Sequence, residues 1–140
     1  MNLFTLISKS NTLSNTSALF GRIGLSAIFI LSGLSKLQYS DATAQYMASA
    51  GVPGELLPLV ILIELVGGVF IAAGFLTQLV ALTLAGFSAV SALLFHNNLA
   101  DQMEFIMFFK NIAMSGGFLM LAAMGAGAFS IDARLLATQA

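Results

Sequence analysis

The chain has 140 residues and a mass of 14.6 kDa, the length of a single domain. Hydrophobic residues make up 59% and charged residues only 8%, whereas a typical globular protein has about 25% charged residues. Five basic and six acidic side chains are too few to cover a water-facing surface, and the five basic ones form no patch for phosphates. The composition therefore excludes a soluble enzyme, a nucleic-acid-binding protein and a disordered tail. It predicts an integral membrane protein.

Four apolar segments of about 20 residues predict an all-α membrane protein, a four-helix transmembrane bundle in up-down-up-down order. Residues 1–17 are rich in Ser, Thr and Asn and are interpreted as a cytoplasmic tail, whose last residues, Ser14–Ser17, offer N-cap side chains. Residues 18–135 form the transmembrane domain. The spans are expected at about 18–37, 55–76, 78–97 and 103–124.

The link between the first two spans, residues 38–54, is long enough to hold structure of its own. Asp41 can cap a short helix over residues 42–50, and Tyr39 and Tyr46 have the amphipathic rings that favour a membrane interface. The sequence therefore predicts a short interfacial helix between spans one and two.

The other links are short. Gly74–Gln78 is expected to form a tight hairpin, and Asp101 with Glu104 forms a capping pattern at the start of the fourth span. His96 follows the third span and is interpreted as solvated or hydrogen-bonded, because no metal-ligand spacing surrounds it. With no Cys, the chain has no thiolate chemistry of its own.

The distribution of basic residues sets the expected orientation. Lys9, Arg22 and Arg134 lie on one side, and Lys36 and Lys110 lie toward the other. The positive-inside rule then places both termini in the cytoplasm.

The first span carries its two cations on one face. Arg22, Ser26, Phe29, Gly33 and Lys36 recur at helical spacing, which keeps all five on one stripe. Charged residues within a span usually face the bundle interior and pair with one another. This stripe is therefore expected to face the other helices.

The second span carries Glu64 on the same face as Gly67–Gly68, and a neighbouring helix can approach closely at the two glycines. The fourth span carries Lys110 and Asn111. Glu64 and Lys110 lie at similar depth, so we expect them to form the primary ion pair, with Lys36 and Asn111 as neighbours. These four residues are predicted to line an intramembrane polar pocket.

Arg22 lies at the opposite side of the membrane, and we expect it to extend to the cytoplasmic surface or to bind lipid headgroups. Two interpretations of the four-residue pocket remain open. It either fixes only how the helices pack, or it binds a headgroup, a quinone or a proton.

The order of these charged positions resembles the DoxX family of small four-helix bacterial membrane proteins. The resemblance covers most of residues 20–135, with no single motif that is highly specific. The positions that carry it are Arg22, Gly33, Lys36, Glu64, Gly68, Gly74, Lys110, Asn111 and Asp132. The matching segments are GRIGLSAIFILSGLSKL (21–37), YMASAGVP (46–53), IELVGGVFIAAGFLTQ (63–78), FFKNIAMSGGFLML (108–121) and GAGAFSID (125–132).

The resemblance implies a multi-pass protein of the bacterial inner membrane that is a subunit or partner of a quinone-linked oxidoreductase system. The chain would lack a redox centre of its own, and electron transfer would need a partner protein or a bound quinone. Two alternatives remain. One is a small proton-coupled transporter that works as a dimer, against which stands the expected ion pairing of Glu64. The other is a purely structural anchor for a soluble enzyme.

Overall fold

The computed structural model describes residues 3–8 and 10–139, and its regular elements within these residues are all helical. A 3₁₀ turn, Gly54–Leu56, precedes α4. The helices are α1 (Leu3–Ser8), α2 (Asn11–Gln38), α3 (Ser40–Ser49), α4 (Leu57–Ala73), α5 (Thr77–Phe95), α6 (Gln102–Met124) and α7 (Ile131–Ala137). The predicted fold class is confirmed.

Four helices of the described chain are long and apolar enough to cross a membrane, namely α2, α4 with its 3₁₀ turn, α5 and α6. Three of them begin and end within three residues of the predicted bounds. The start of α2 differs, because Ser10 accepts a hydrogen bond from the Leu13 amide and caps the helix at Asn11. Residues 11–17, expected in the tail, are therefore helical, and Ser14–Ser17 lie inside α2. Its 28 residues extend about 42 Å, longer than the hydrocarbon core.

The four helices alternate in direction, as predicted. α2 packs most closely on α4 and α5 on α6, while α4 and α5 meet through their hairpin and α2 touches α6 less extensively. The order around the bundle is therefore α2, α4, α5, α6. In this arrangement α4 and α6 lie diagonally opposite each other.

Glycines set the close approach of α2 and α4. A Cβ on Gly68 would lie 3.2 Å from the Ile30 amide nitrogen and 3.3 Å from the Ser26 carbonyl oxygen, and a Cβ on Gly33 would meet Leu65. Small residues at such positions let transmembrane backbones pack closely. The predicted role of Gly68 at this contact is confirmed.

The interior combines an apolar core with buried polar residues. Phe29 of α2 packs edge-to-face on Phe118 of α6 and on Phe87 of α5, with ring centroids 5.4 Å and 6.1 Å apart. Ile71 and Leu84 complete this core, while large apolar side chains cover the outside of the helices. The predicted stripe of α2 is confirmed, because four of its five members are buried: Arg22, Ser26, Phe29 and Gly33. Polar side chains that lie inside an apolar exterior are typical of a membrane bundle.

The predicted short helix between spans one and two is present as α3. Asp41 does not cap it, because the N-cap position is Tyr39 and Asp41 lies in the first turn. Gly51 has a φ of 81° and allows the chain to turn after the helix. α3 and the α5–α6 loop form one end of the bundle, which we name the cavity end. The α4–α5 hairpin, residues 125–130 and α7 form the other, which we name the hairpin end.

Candidate functional site

Arg22 is buried at the hairpin end and is only 1% exposed. Its Nη1 donates to the carbonyls of Ile71 (3.2 Å) and Ala72 (2.8 Å), and its Nη2 donates to the carbonyl of Phe129. The first two carbonyls belong to the last turn of α4, where a cation is favoured by the helix dipole. The expectation that Arg22 reaches the surface or lipid headgroups is therefore wrong, because backbone carbonyls inside the bundle bind its guanidinium.

Asp132 caps α5 from a distance in sequence. Its carboxylate accepts hydrogen bonds from the amides of Leu76 (2.8 Å) and Thr77 (2.9 Å), while its own amide donates to the Gly74 carbonyl at 2.9 Å. Leu76 has a left-handed φ of 49° and is the N-cap of α5 without a side-chain cap of its own. The two bonds from Asp132 therefore satisfy amides that the hairpin leaves open.

The environment of Asp132 shifts its pKa. Partial burial raises the pKa of the Asp132 carboxyl, but the amides of Thr77 and Leu76 and the nearby Arg22 cation together lower it further than burial raises it. The pKa of Asp132 therefore lies below the ordinary value for aspartate. Asp132 is therefore held as a carboxylate that connects α7 to the hairpin, a structural role.

The cavity end contains a partly open cavity of about 530 Å³. Its walls come from all four long helices and from α3, and they are mainly apolar and aromatic. The aromatic side chains of the wall are Phe29, Tyr46, Phe87 and Phe95. The four residues predicted for the polar pocket, Lys36, Glu64, Lys110 and Asn111, also line this cavity.

Within the cavity Glu64 pairs with Lys36. The Lys36 ammonium lies 2.9 Å from Glu64 Oε1 and 2.6 Å from the Ser32 hydroxyl, which also donates to Glu64 Oε1 at 3.3 Å. The predicted Glu64–Lys110 pair is wrong. The prediction compared only the depth of the two residues in the membrane and assumed that α4 and α6 are neighbours. The two helices lie diagonally in the bundle, and Lys36 of the adjacent α2 contacts Glu64 instead.

The second carboxylate oxygen of Glu64 has a different environment. Glu64 Oε2 is buried and has no hydrogen-bond partner among the described residues, and the side chain is 5% exposed. Buried polar atoms nearly always have a partner. Oε2 is thus a buried acceptor whose hydrogen-bonding capacity no described residue satisfies.

Lys110 and Asn111 contribute to the cavity from α6. Asn111 is buried, 7% exposed. Lys110 is exposed, and its ammonium lies 3.3 Å from Met107 Sδ. Lys110 thus belongs to the wall of the cavity without neutralising Glu64.

An aromatic and ionisable cluster lies where α3 meets the end of α5. The Tyr46 ring stacks on Phe95 with centroids 5.6 Å apart, and its hydroxyl donates to the Phe95 carbonyl at 3.4 Å. His96 Nδ1 lies 3.2 Å from Glu104 Oε2. Partial burial and the Glu104 carboxylate raise the pKa of Tyr46. Tyr46 and His96 line the cavity, which the sequence did not indicate.

Ser32 was also missed by the sequence interpretation, although a signal was available. It lies four residues before Lys36 and so shares its helical face. No group of three or more His, Cys, Asp or Glu side chains suited to a metal occurs in the part of the chain that the structure describes. Ser32, Lys36 and Glu64 thus form one hydrogen-bonded cluster on the wall of the cavity, and Asn111 lines the same cavity from α6.

Comparison with known proteins gives consistent matches. The sequence model of the DoxX family matches residues 17–97. Inner membrane protein YqjF of Escherichia coli strain K12 is 49% identical over 124 residues, covering 89% of this chain and 95% of that protein. Inner membrane protein YphA of the same strain is 35% identical over 123 residues, covering 83% and 88%.

A shorter match is to the protein named "Putative oxidoreductase CatD" of Bacillus subtilis strain 168. It is 39% identical over 69 residues, covering 46% of this chain and 52% of that protein. No solved structure matches the chain. The family match contains Ser32, Lys36 and Glu64, so the ion pair lies within the segment that this chain shares with the family.

Proposed function

This chain belongs to the DoxX family of membrane proteins, and we propose that it is the quinone-binding membrane subunit of an oxidoreductase system. The observation that carries the proposal is the cavity, in which a polar cluster around Glu64 interrupts a mainly apolar wall. The match to a protein named as an oxidoreductase supports a redox role.

The residues of the cavity fit a quinone in size and chemistry. Its volume of about 530 Å³ lies within the range of small-molecule sites, which are mainly apolar with a few polar groups that set orientation. The rings of Phe29 and Phe87 offer surfaces for a flat ring. The polar head of a quinone would lie toward Lys36, Glu64 and Asn111, and its tail along the apolar wall.

A quinone supplies two-electron, two-proton redox chemistry when bound. The chain's own residues hold and orient it: the Lys36 ammonium is a donor, the Glu64 carboxylate an acceptor, and the Asn111 amide offers both functions. With no Cys in the sequence, we propose that electrons are exchanged with a partner protein.

We also propose that the hairpin end faces the cytoplasm, so that both termini lie there. The two links at the cavity end, residues 39–56 and 96–101, contain no Lys or Arg, whereas Arg134 is exposed at the hairpin end. This distribution follows the positive-inside rule. The cavity then lies nearer the periplasmic side of the inner membrane.

The direct test is extraction of bound quinone from the protein purified in mild detergent. We expect a near-stoichiometric quinone in the wild type and its loss in Gly86→Leu, because Gly86 lines the cavity and has open space where a side chain would begin. Gly116→Leu is the matched control, since Gly116 also has open space but lies outside the cavity.

The same preparation separates the alternatives. A stoichiometric soluble partner with no bound quinone would instead favour a structural anchor. Proton flux driven by a transported compound in proteoliposomes would favour a transporter. Loss of quinone in both leucine variants would contradict the assignment of the cavity.

A further inference from the structure

We infer that the cavity is entered from the bilayer, through an opening between α4 and α5, and that the bound quinone keeps its apolar tail in this opening. The inference rests on the proposed function and adds the route of entry and the position of the tail. It starts from residues that line the cavity although they are exposed.

Most of the exposed residues of the cavity wall belong to α5. They recur there at intervals of three or four, which places them on one helical face. This stripe, which we name the α5 rim, consists of Thr83, Gly86, Val90 and Leu94. The exposed wall residues outside α5 are Ile28, Tyr46 and Lys110. Because Val90 and Leu94 line the cavity and are still 53% and 44% exposed, the α5 rim marks an opening.

The α5 rim faces away from α6, on the side of α4. Leu84 faces α4, since a Cβ on Gly67 would lie 3.1 Å from the Leu84 side chain. The next residue, Ala85, accepts a hydrogen bond at its carbonyl from Ser115 of α6. Successive residues of a helix are about 100° apart, so Thr83 and the rest of the rim lie beyond Leu84, on the far side from α6. Since α5 is one of the four apolar spans, lipid surrounds this rim.

The helices α4 and α5 separate toward the cavity end. They meet through their hairpin, and Gly67 lies against Leu84. Further along α4 toward the cavity end, Ile63 and Val60 line the cavity, as does Phe87 of α5. The contact of Gly67 with Leu84 therefore closes the cavity toward the hairpin end, and beyond this contact the cavity lies between the two helices.

The short helix α3 covers the cavity on the side of the aqueous phase. It packs on the 3₁₀ turn and on α4, and its Tyr46 ring stacks on Phe95 at the end of α5. Met47, which lines the cavity, is only 3% exposed. The apolar access to the cavity is therefore at the α5 rim, within the membrane.

The polar and apolar parts of the cavity lie on opposite sides. Lys36 and Glu64 join α2 to α4, whereas the rim belongs to α5, which is diagonal to α2 in the bundle. A molecule with a polar head at the ion pair and an apolar tail at the rim fits this division, and its tail continues into the lipid. The exposed wall residue of α6 is by contrast a cation, Lys110, which does not suit an apolar tail.

The opening is tested first without any quinone. The sequence contains no Trp, so a single introduced tryptophan reports on its own surroundings. In nanodiscs of phosphatidylcholine with brominated acyl chains, we expect Phe87→Trp to lose most of the fluorescence that it has in unbrominated lipid, because acyl chains reach the cavity wall through the opening. Phe118→Trp is the matched control, since Phe118 is 0% exposed, and it should keep most of its fluorescence.

The route of the quinone is tested on the Phe87→Trp background, in which a bound quinone quenches the tryptophan. Val90→Phe narrows the opening, and we expect decylubiquinone to reach the cavity about tenfold more slowly in stopped-flow measurements. Val69→Phe is the matched control, because Val69 of α4 is 52% exposed but does not line the cavity. This variant should keep the rate of the background.

The outcomes separate the two proposals. Equal rates in the two valine variants overturn entry between α4 and α5 while the quinone site stands, and so does equal loss of fluorescence from Phe87→Trp and Phe118→Trp in brominated lipid. Quenching of Phe87→Trp by brominated lipid but not by decylubiquinone overturns the proposed function and leaves an opening filled by lipid. Phe95→Trp, at a second aromatic residue of the wall, serves as the reporter if Phe87→Trp does not fold, and the brominated-lipid comparison decides alone if Val90→Phe does not fold.

Discussion

The two ends of the bundle treat a buried charge in opposite ways. At the hairpin end three backbone carbonyls bind the Arg22 guanidinium, and Asp132 connects the same region to α5. At the cavity end Glu64 has one oxygen paired with Lys36 and the other without a partner, beside an open volume. Each charge keeps one buried atom without a partner among the described residues, Arg22 Nε and Glu64 Oε2. The ends therefore differ in what surrounds the charge: backbone carbonyls hold Arg22, whereas a lysine side chain on the wall of a cavity pairs with Glu64.

The largest expected effect comes from removing the enclosed charge. Arg22→Met leaves carbonyls of α4 and of Phe129 without their donor inside the bundle, and we expect a loss of about 3 kcal/mol in the free energy of unfolding. The measurement is unfolding by SDS titration in detergent. Arg134→Met, at an exposed arginine of α7, is the control. A loss under about 1 kcal/mol for Arg22→Met would remove the structural role of the hairpin end.

The next effect concerns Gly74, which ends α4 with a φ of 69°. A Cβ there would meet both Arg22 and Ser130, so we expect Gly74→Ala to cost about 2 kcal/mol from backbone strain and crowding together. Gly51→Ala is the matched control, because Gly51 also has a left-handed φ, 81°, but has open space around it. This variant should cost about 1 kcal/mol. Equal losses in both variants would show that the contacts with Arg22 and Ser130 do not matter.

Through Asp132, the stability of the hairpin end should also depend on pH. The pKa of Asp132 in the folded protein is below the ordinary value, so its stabilisation is complete above the unfolded pKa and is lost as the pH falls through the folded pKa. We expect Asp132→Asn to cost about 1 kcal/mol at neutral pH and to reduce the acid dependence of the unfolding free energy below about pH 4. Asp41→Asn, at an exposed residue of α3, is the matched control variant.

The smallest effect is expected at the cavity. Gly86→Ala adds a methyl group where no atom lies within 4 Å, and we expect a change within about 0.5 kcal/mol, on the stabilising side because alanine favours a helix. Gly68→Ala is the comparison at a packed contact, and should cost about 1–3 kcal/mol through overpacking. A large loss of unfolding free energy in Gly86→Ala would mean that the cavity closes in solution. The two ends of the bundle would then differ less than the structure indicates.

Much of the fold followed from local patterns. The apolar segments predicted four spans, the spacing from Arg22 to Lys36 predicted the buried face of α2, and Asp101 caps α6 as expected through the Glu104 amide. These features depend on residues within a few turns of one another. The start of α2 was missed because the span was placed by its apolar run, whereas the helix continues through polar residues to its cap at Ser10.

The sequence predicted which residues line the candidate site, but not which of them form an ion pair. Depth along the membrane normal placed Glu64 and Lys110 at the same level, but it contains no information about which helices are neighbours. The roles of Arg22 and Asp132 were missed for the same reason. Their partners, Phe129 and Leu76, lie more than 50 residues away in the chain.

The identity of this chain as a four-helix membrane protein is encoded in its composition and periodicity, because burial in a bilayer requires long apolar helices whatever their arrangement. Scarcity of charge likewise singled out Arg22, Lys36, Glu64 and Lys110. Which of these residues form an ion pair, which one is bound by backbone carbonyls and which line a cavity was decided only by the order of the helices around the bundle. That order depends on packing between distant segments, such as Gly68 against α2, which no local pattern specifies.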